Sequence, residues 1–269
     1  MLGGATVLLI TRVNAIMRWA IEIRSTSLEH RSLGDLLAGL GFTLFDGIQS
    51  PAFTSPDIDR CNAAAQVFDI AKRVRTAFGS AQIDPTLDLG FVIDYSTTPP
   101  RRHGILEVQP MMFYVTLENV TLTVSPPSGL SAEELEKWNK DQTEKDYQAR
   151  LEDQRARLEP AYREPRAAKV LELLSLKEPT GETLYKIYEL AEGHPSNRNA
   201  FHSQLDISKN DFSRFSDAVH NPGVSGDWAR HAYHDVPKTD NPMSRTEAEQ
   251  FVCSIAKRWL AHLRANSTP

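Results

Sequence analysis

The sequence predicts an α+β protein: an N-terminal antiparallel-sheet domain with flanking helices, a long charged connecting helix and a C-terminal all-α domain. Three observations carry this. Alternating apolar runs fill the first 130 residues, half of residues 131–164 are charged, and helical spacing with capping boxes takes over after Pro165. The chain has 269 residues, of which 41% are hydrophobic, enough for one large domain or two small ones with a real core.

Residues 1–16 hold one apolar run, Ala5–Ile10, and the first basic residue is Arg12. The run is shorter than the roughly 20 residues that span a bilayer and lacks the basic flank of a secretory signal. It reads as a leader or an edge strand, with Met17 as an alternative start to Met1. Within 17–130, Trp19, Ile21 and Ile23 alternate with small or charged residues as in a half-buried strand. A helix follows over Ser32–Leu40, closed by Gly41, then a strand over Phe42–Phe45. Ser55 is an N-cap with Pro56 at the first helical position. Ile58, Cys61, Ala65, Phe68, Val74 and Phe78 make one helical stripe that Gly79 can close. Strands are expected at Phe91–Tyr95, Ile105–Gln109 and Met112–Val124, the last folded as a hairpin at Glu118-Asn119.

Residues 131–164 open on the capping box Ser131-Ala132-Glu133-Glu134 and carry 10 acidic and 7 basic residues. Leu135 and Trp138 lie on one side, with Tyr147, Leu151 and Leu158 half a turn away, so this is a solvated spacer helix ended by Pro160 and Pro165. Residues 165–269 read as a helical domain. Ala168–Leu176 and a face of Leu184, Ile187 and Leu190 come first. Boxes at Ser208–Asp211 and Ser244–Glu247 then open helices carrying Phe212, Phe215 and Val219, and Phe251, Ile255, Trp259 and Leu263. Between them, loop 221–243 is long for a helical domain.

A net charge of −5 is not that of a protein that coats nucleic acid through bulk charge. That charge is uneven, because region 165–269 balances 13 basic against 13 acidic residues. Cys61 and Cys253, the two cysteines, exclude a disulfide framework and a four-thiolate zinc site, and suit a cytoplasmic protein with buried thiols. The chain has no Gly-rich phosphate loop, GxSxG, HExxH or CxxC. No cofactor and no membrane contact are expected.

Five of the eight histidines, His194, His202, His220, His231 and His234, fall within residues 194–234. The window overlaps the long loop, which adds Asn221, Trp228 and Arg230. Loops bearing such side chains on a helical scaffold are disproportionately sites. Arg214-Phe-Ser-Asp-Ala-Val-His220 resembles, over seven residues, the Arg-x4–6-His signature of HEPN-type ribonucleases. The resemblance implies metal-independent action on a phosphodiester by Arg214 and His220 across a homodimer. His231-Ala-Tyr-His234 spaces two imidazoles as zinc ligands can be, with Asp227, Asp235 and His220 as further donors, although HxxH alone lacks the specificity of a finger. Asn199–Val219 reads helix, short turn at Asp206–Ser208, helix, the pattern of a helix-turn-helix nucleic-acid binder. Arg101 and Arg102, after Pro99-Pro100 in a loop between strands, could grip an anion or an acidic partner.

The favoured expectation is a non-enzymatic interaction protein whose C-terminal helical domain presents segment 194–234 to a protein partner or an anionic ligand. His220, Asn221, Trp228, Arg230, His231, His234, Arg101 and Arg102 are its contact residues, with no metal. The ribonuclease and the helix-turn-helix binder are the alternatives.

Overall fold

The structure, a computed structural model, describes residues 17–104, 131–231, 237 and 239–266. The chain is α+β, with an antiparallel sheet at its N-terminal end and a helical C-terminal region. The expected leader, the strands Ile105–Gln109 and Met112–Val124, and His234 lie outside the described residues. Contacts divide the described residues into two compact units, one from 17–75 and 84–155, the other from 76–83 and 156–266.

In the first unit, β1 (Trp19–Ser25), β2 (Thr43–Asp46), β3 (Pro51–Thr54), β4 (Asp88–Asp94) and β5 (Arg101–His103) form one antiparallel sheet in the order β2-β3-β1-β4-β5. β1 was expected to be half-buried. As the central strand it is buried on both faces from Trp19 to Ile23, Glu22 included. Two elements correct the sequence reading. β3 went unpredicted because Pro51 starts it, and proline is tolerated at the first residue of a strand. Arg101 and Arg102 do not sit in a loop: Asp94, Ile93 and Val92 pair with Arg101, Arg102 and His103.

One sheet face carries Ile21, Phe53 and Leu44, and α1 (His30–Gly39) buries Leu33, Leu36 and Leu37 beside it. A Cβ on Gly34 of α1 would stand 3.6 Å from Leu44. Gly41, at φ +85, turns the chain out of the helix. The single stripe expected from Ser55 to Phe78 is broken into α2 (Pro56–Asp59) and α3 (Ala64–Ser80). The break uses backbone and side chain to anchor β1. The Asp59 carboxylate accepts the Arg18 and Trp19 N–H groups at 2.9 and 3.0 Å, and the Cys61 carbonyl accepts the Trp19 indole N–H at 2.8 Å. Ser55 caps α2 as expected, accepting the Ile58 N–H at 3.2 Å.

α4 (Ala132–Arg163) runs through Pro160 rather than ending there, and Glu164 then caps α5 (Pro165–Leu174) by accepting the Arg166 N–H at 3.1 Å. The rest of the second unit is α6 (Gly181–Glu192), a 3-10 turn Pro195–Asn197, α7 (Arg198–Gln204), α8 (Lys209–His220), α9 (Pro222–Ser225), a 3-10 turn Gly226–Trp228 and α10 (Arg245–Ala265). α6 is the hub, touching α5, α8 and α10. It buries Leu184, Ile187 and Tyr188 in a core shared with Phe201, Phe215, Val219, Ile255 and Trp259. Of the two boxes predicted in this unit, Ser244–Glu247 forms in full and Ser208–Asp211 keeps only the serine's half. Ser208 accepts the Asp211 N–H at 2.9 Å, and Ser244 accepts the Glu247 N–H at 3.3 Å while Glu247 accepts the Ser244 N–H at 2.8 Å.

Candidate functional site

Of the histidine-rich segment, the structure brings His220, Arg230 and His231 together around Tyr185, a residue the sequence reading passed over. α6 presents Tyr185 one turn before Glu189, and α8 ends at His220. The His220 ring meets Tyr185 edge-on, with centroids 4.2 Å apart and planes 66° apart. His231 stacks on His220 at 4.8 Å and 16°. Arg230 lays its guanidinium over the Tyr185 ring at 4.8 Å, in cation–π range, and stands 3.9 Å from Glu189. Burial raises the Tyr185 phenol above its ordinary pKa. Glu189 and Glu192 push the same way, and Arg198 and Arg230 oppose them.

The start of the predicted loop is tied down by backbone. The Arg230 N–H donates to the Val219 carbonyl at 2.7 Å, and the Trp228 indole N–H donates to the Pro179 carbonyl at 2.8 Å. Gly181 permits this approach, because a Cβ there would lie 2.8 Å from the Trp228 carbonyl oxygen and 3.0 Å from that of Val219. Asn221 is buried and caps α9 by accepting the Gly223 N–H at 2.9 Å. At the other end, Thr239 donates its N–H and hydroxyl to Asp217, both at 2.8 Å, and the Met243 N–H donates to the Arg214 carbonyl at 3.2 Å. Among its described residues, loop 221–243 thus has two short helical turns and anchored flanks.

Arg214 and His220 have separate neighbours. Arg214 donates to the Asn241 carbonyl at 2.8 Å and to Glu247 at 3.3 Å. The six-residue step along α8 turns the two side chains about 120° apart. The stacked pair His220–His231 does not make a metal chelate either. Imidazole lone pairs lie in the ring plane, so near-parallel rings aim them side by side instead of at one point. Among the described residues, no group of three or more His, Cys, Asp or Glu is placed to hold a metal ion.

α7, its turn and α8 follow the helix-turn-helix outline, with Asp206 at φ +50 and the Ile207 N–H on the His202 carbonyl at 2.8 Å. α8 nevertheless packs on α6 and α10, leaving Lys209 and Asn210 as its exposed residues. Arg102 is committed to a carboxylate of the sheet itself. It donates to both Glu22 oxygens at 2.6 and 2.7 Å, bonds Gln49, and stacks over Phe91 at 4.3 Å. Arg101 is exposed beside it.

The remaining described histidines of the segment serve locally. His194 caps its own turn, accepting the Ser196 N–H at 3.3 Å. His202 is buried in a polar knot that sequence reasoning missed. The Tyr188 hydroxyl donates to Glu192 at 3.1 Å and meets His202 Nε2 at 2.7 Å, while Arg198 grips both Glu192 oxygens at 2.5 and 3.1 Å. Since the phenol gives its proton to Glu192, His202 Nε2 carries the hydrogen of the second bond. Desolvation lowers the His202 pKa, and burial raises that of the Tyr188 phenol far above its ordinary value. The signal was present as Tyr188-x-x-x-Glu192 on one helix, but the sequence reading took only Leu184, Ile187 and Leu190 from that stretch.

Comparison with protein families, characterised proteins and solved structures finds no match to this chain. Among the described residues, no helix is long and apolar enough to cross a membrane.

Proposed function

We propose that this is a cytoplasmic, non-enzymatic binding protein that uses Tyr185, His220, Arg230 and His231 to hold an anionic ligand or an acidic segment of a protein partner. The single observation behind the reading is one cluster in which His220 and Arg230 meet Tyr185 and His231 stacks on His220, with Arg230 and His231 both exposed. Guanidinium and imidazolium groups are the usual donors to carboxylate and phosphate. The compartment is inferred from Cys61 and Cys253, both free thiols whose pKa burial raises, which makes them poor nucleophiles. Asn221 and Trp228 support the face as cap and clamp, and Arg101 remains a second point of anion contact.

The test is a fluorescence-anisotropy titration of the full chain with labelled hexaglutamate at low ionic strength. Saturable binding is expected, and Arg230→Ala or His231→Ala should weaken it about ten-fold, in keeping with a charge-assisted contact worth 1.5–3 kcal/mol. The same protein incubated with total RNA should leave it intact with and without EDTA. RNA cleavage that His220→Ala abolishes would overturn the reading in favour of the nuclease.

A further inference from the structure

Resting on that binding reading, we infer that the ligand of this face is a single-stranded nucleic acid whose unpaired bases stack on His231. Carboxylates need charge alone, whereas this face offers ring planes. His231 is the exposed outer member of a near-parallel stack over His220, and His220 leans edge-on against Tyr185. Two arginines lie beside rings of this segment, Arg230 at 4.8 Å over Tyr185 and Arg245 at 6.0 Å from the centre of Trp228. Imidazole and aromatic faces with guanidinium groups beside them suit unpaired bases and their phosphates. Duplex recognition would instead need a helix free to enter a groove, and α8 is packed on two others.

The charge balance sets the character of the interaction. Arg230 lies 3.9 Å from Glu189 and Arg245 lies 2.9 Å from Glu249, so the arginines work beside carboxylates and do not build a strongly positive field. Stacking then carries the affinity, and salt dependence is shallow. With two arginines meeting phosphate, the log–log salt slope is about −1.4, at roughly −0.7 per phosphate for a single strand.

Anisotropy with labelled 12-nucleotide adenine oligomers, one RNA and one DNA, tests this against an abasic oligomer of the same length and against hexaglutamate. The expected result is base-dependent binding, with the abasic strand at least about five-fold weaker. His231→Ala should lose a similar factor and His231→Phe should restore it, because phenylalanine keeps a stacking face without charge. Both variants are checked by thermal melting, which an exposed position should leave unchanged. A preference between the RNA and DNA arms identifies the source of the strand, and either one binding through its bases supports the inference. Equal binding of the abasic strand, or a His231→Phe protein as weak as His231→Ala, overturns it. If hexaglutamate binds and neither oligonucleotide does, the stacking inference fails while the anion-binding reading stands. If no probe binds, both fall.

Discussion

Both units of this protein bury a glutamate against an arginine, and they do so in opposite ways. In the sheet, Glu22 of β1 is reached by Arg102 of β5 across β4, and it also accepts the Ser50 hydroxyl at 2.6 Å and the Phe91 N–H at 3.2 Å. Gly90 makes room for it, since a Cβ there would lie 2.9 Å from the carboxylate. In the helical unit, Glu192 finds Arg198 six residues on and accepts the Tyr188 hydroxyl, which in turn meets His202. The first knot joins strands distant in sequence and holds a register. The second is local and includes a neutral imidazole. Desolvation and unpaired charge therefore have different consequences in each.

The largest expected effect follows from how deeply each carboxylate is set. The Glu192 side chain is 1% exposed and that of Glu22 is 8% exposed, while both arginines are about a third exposed and can turn to water. Glu192→Ala should cost about 3 kcal/mol, because it leaves a buried phenol and a buried cavity as well as breaking a charged pair. Glu22→Ala should cost about 2 kcal/mol, with the Phe91 N–H as its main orphan. Urea unfolding of single-tryptophan variants reads the two units separately, since Trp19 and Trp259 are buried at 3% and 4%. Equal losses, or the reverse order, would break the ranking by carboxylate burial.

A second difference lies in pH. His202 has a folded pKa below its ordinary 6.5, chiefly from desolvation, with Arg198 adding to the effect and Glu192 opposing it. The unfolded chain therefore binds that proton more readily, so the stability is full above pH 6.5 and drains as pH falls below it. Glu22 behaves differently. Burial alone would raise it, but hydrogen bonds from Ser50, Arg102 and the Phe91 N–H outweigh burial and hold it below its ordinary 4.5. Its contribution is present above pH 4.5 and lost below. Between pH 7.5 and 5.5 the midpoint reported by Trp259 should fall while that of Trp19 holds. His202→Gln, which keeps a donor for Tyr188, should flatten the fall. A parallel decline of both tryptophans would remove the distinction.

What the sequence revealed follows the same local-versus-distant line. Ser55, Ser131, Ser208 and Ser244 were legible as caps because a cap is decided by residues three apart, and Ser131 does accept the Glu134 N–H at 3.4 Å. The break after Asp59 was not legible, because its cause is the start of β1, about 40 positions back. β5 was hidden behind Pro99-Pro100, and its reason to exist is the pairing with β4 and the reach to Glu22. At the candidate site, the density of histidines singled out the segment that holds His220, Arg230 and His231, but not the tyrosine beside which the structure places them. Tyr185 supplies the surface on which His220 and Arg230 meet, and periodicity alone assigns it to a helix flank.

The smallest expected effect completes the series with a third arginine–glutamate pair. Arg214 reaches Glu247 at 3.3 Å, and that carboxylate is 51% exposed. Water screens the pair, so what Arg214→Ala removes is mainly the bond to the Asn241 carbonyl, worth about 1 kcal/mol. The Met243 N–H bond survives, because it uses the Arg214 main chain. The substitution leaves Tyr185, His220 and His231 untouched, so affinity for the adenine 12-mer or for hexaglutamate should stay within about two-fold, the scale of a screened exposed charge. An Arg214→Ala protein that lost more binding than His231→Ala would place the working arginine on the wrong side of α8. It would also join Arg214 and His220 into one functional pair, as the Arg-x5-His spacing implies. If only stability shifts, and by less than in either glutamate variant, burial of the carboxylate ranks all three pairs.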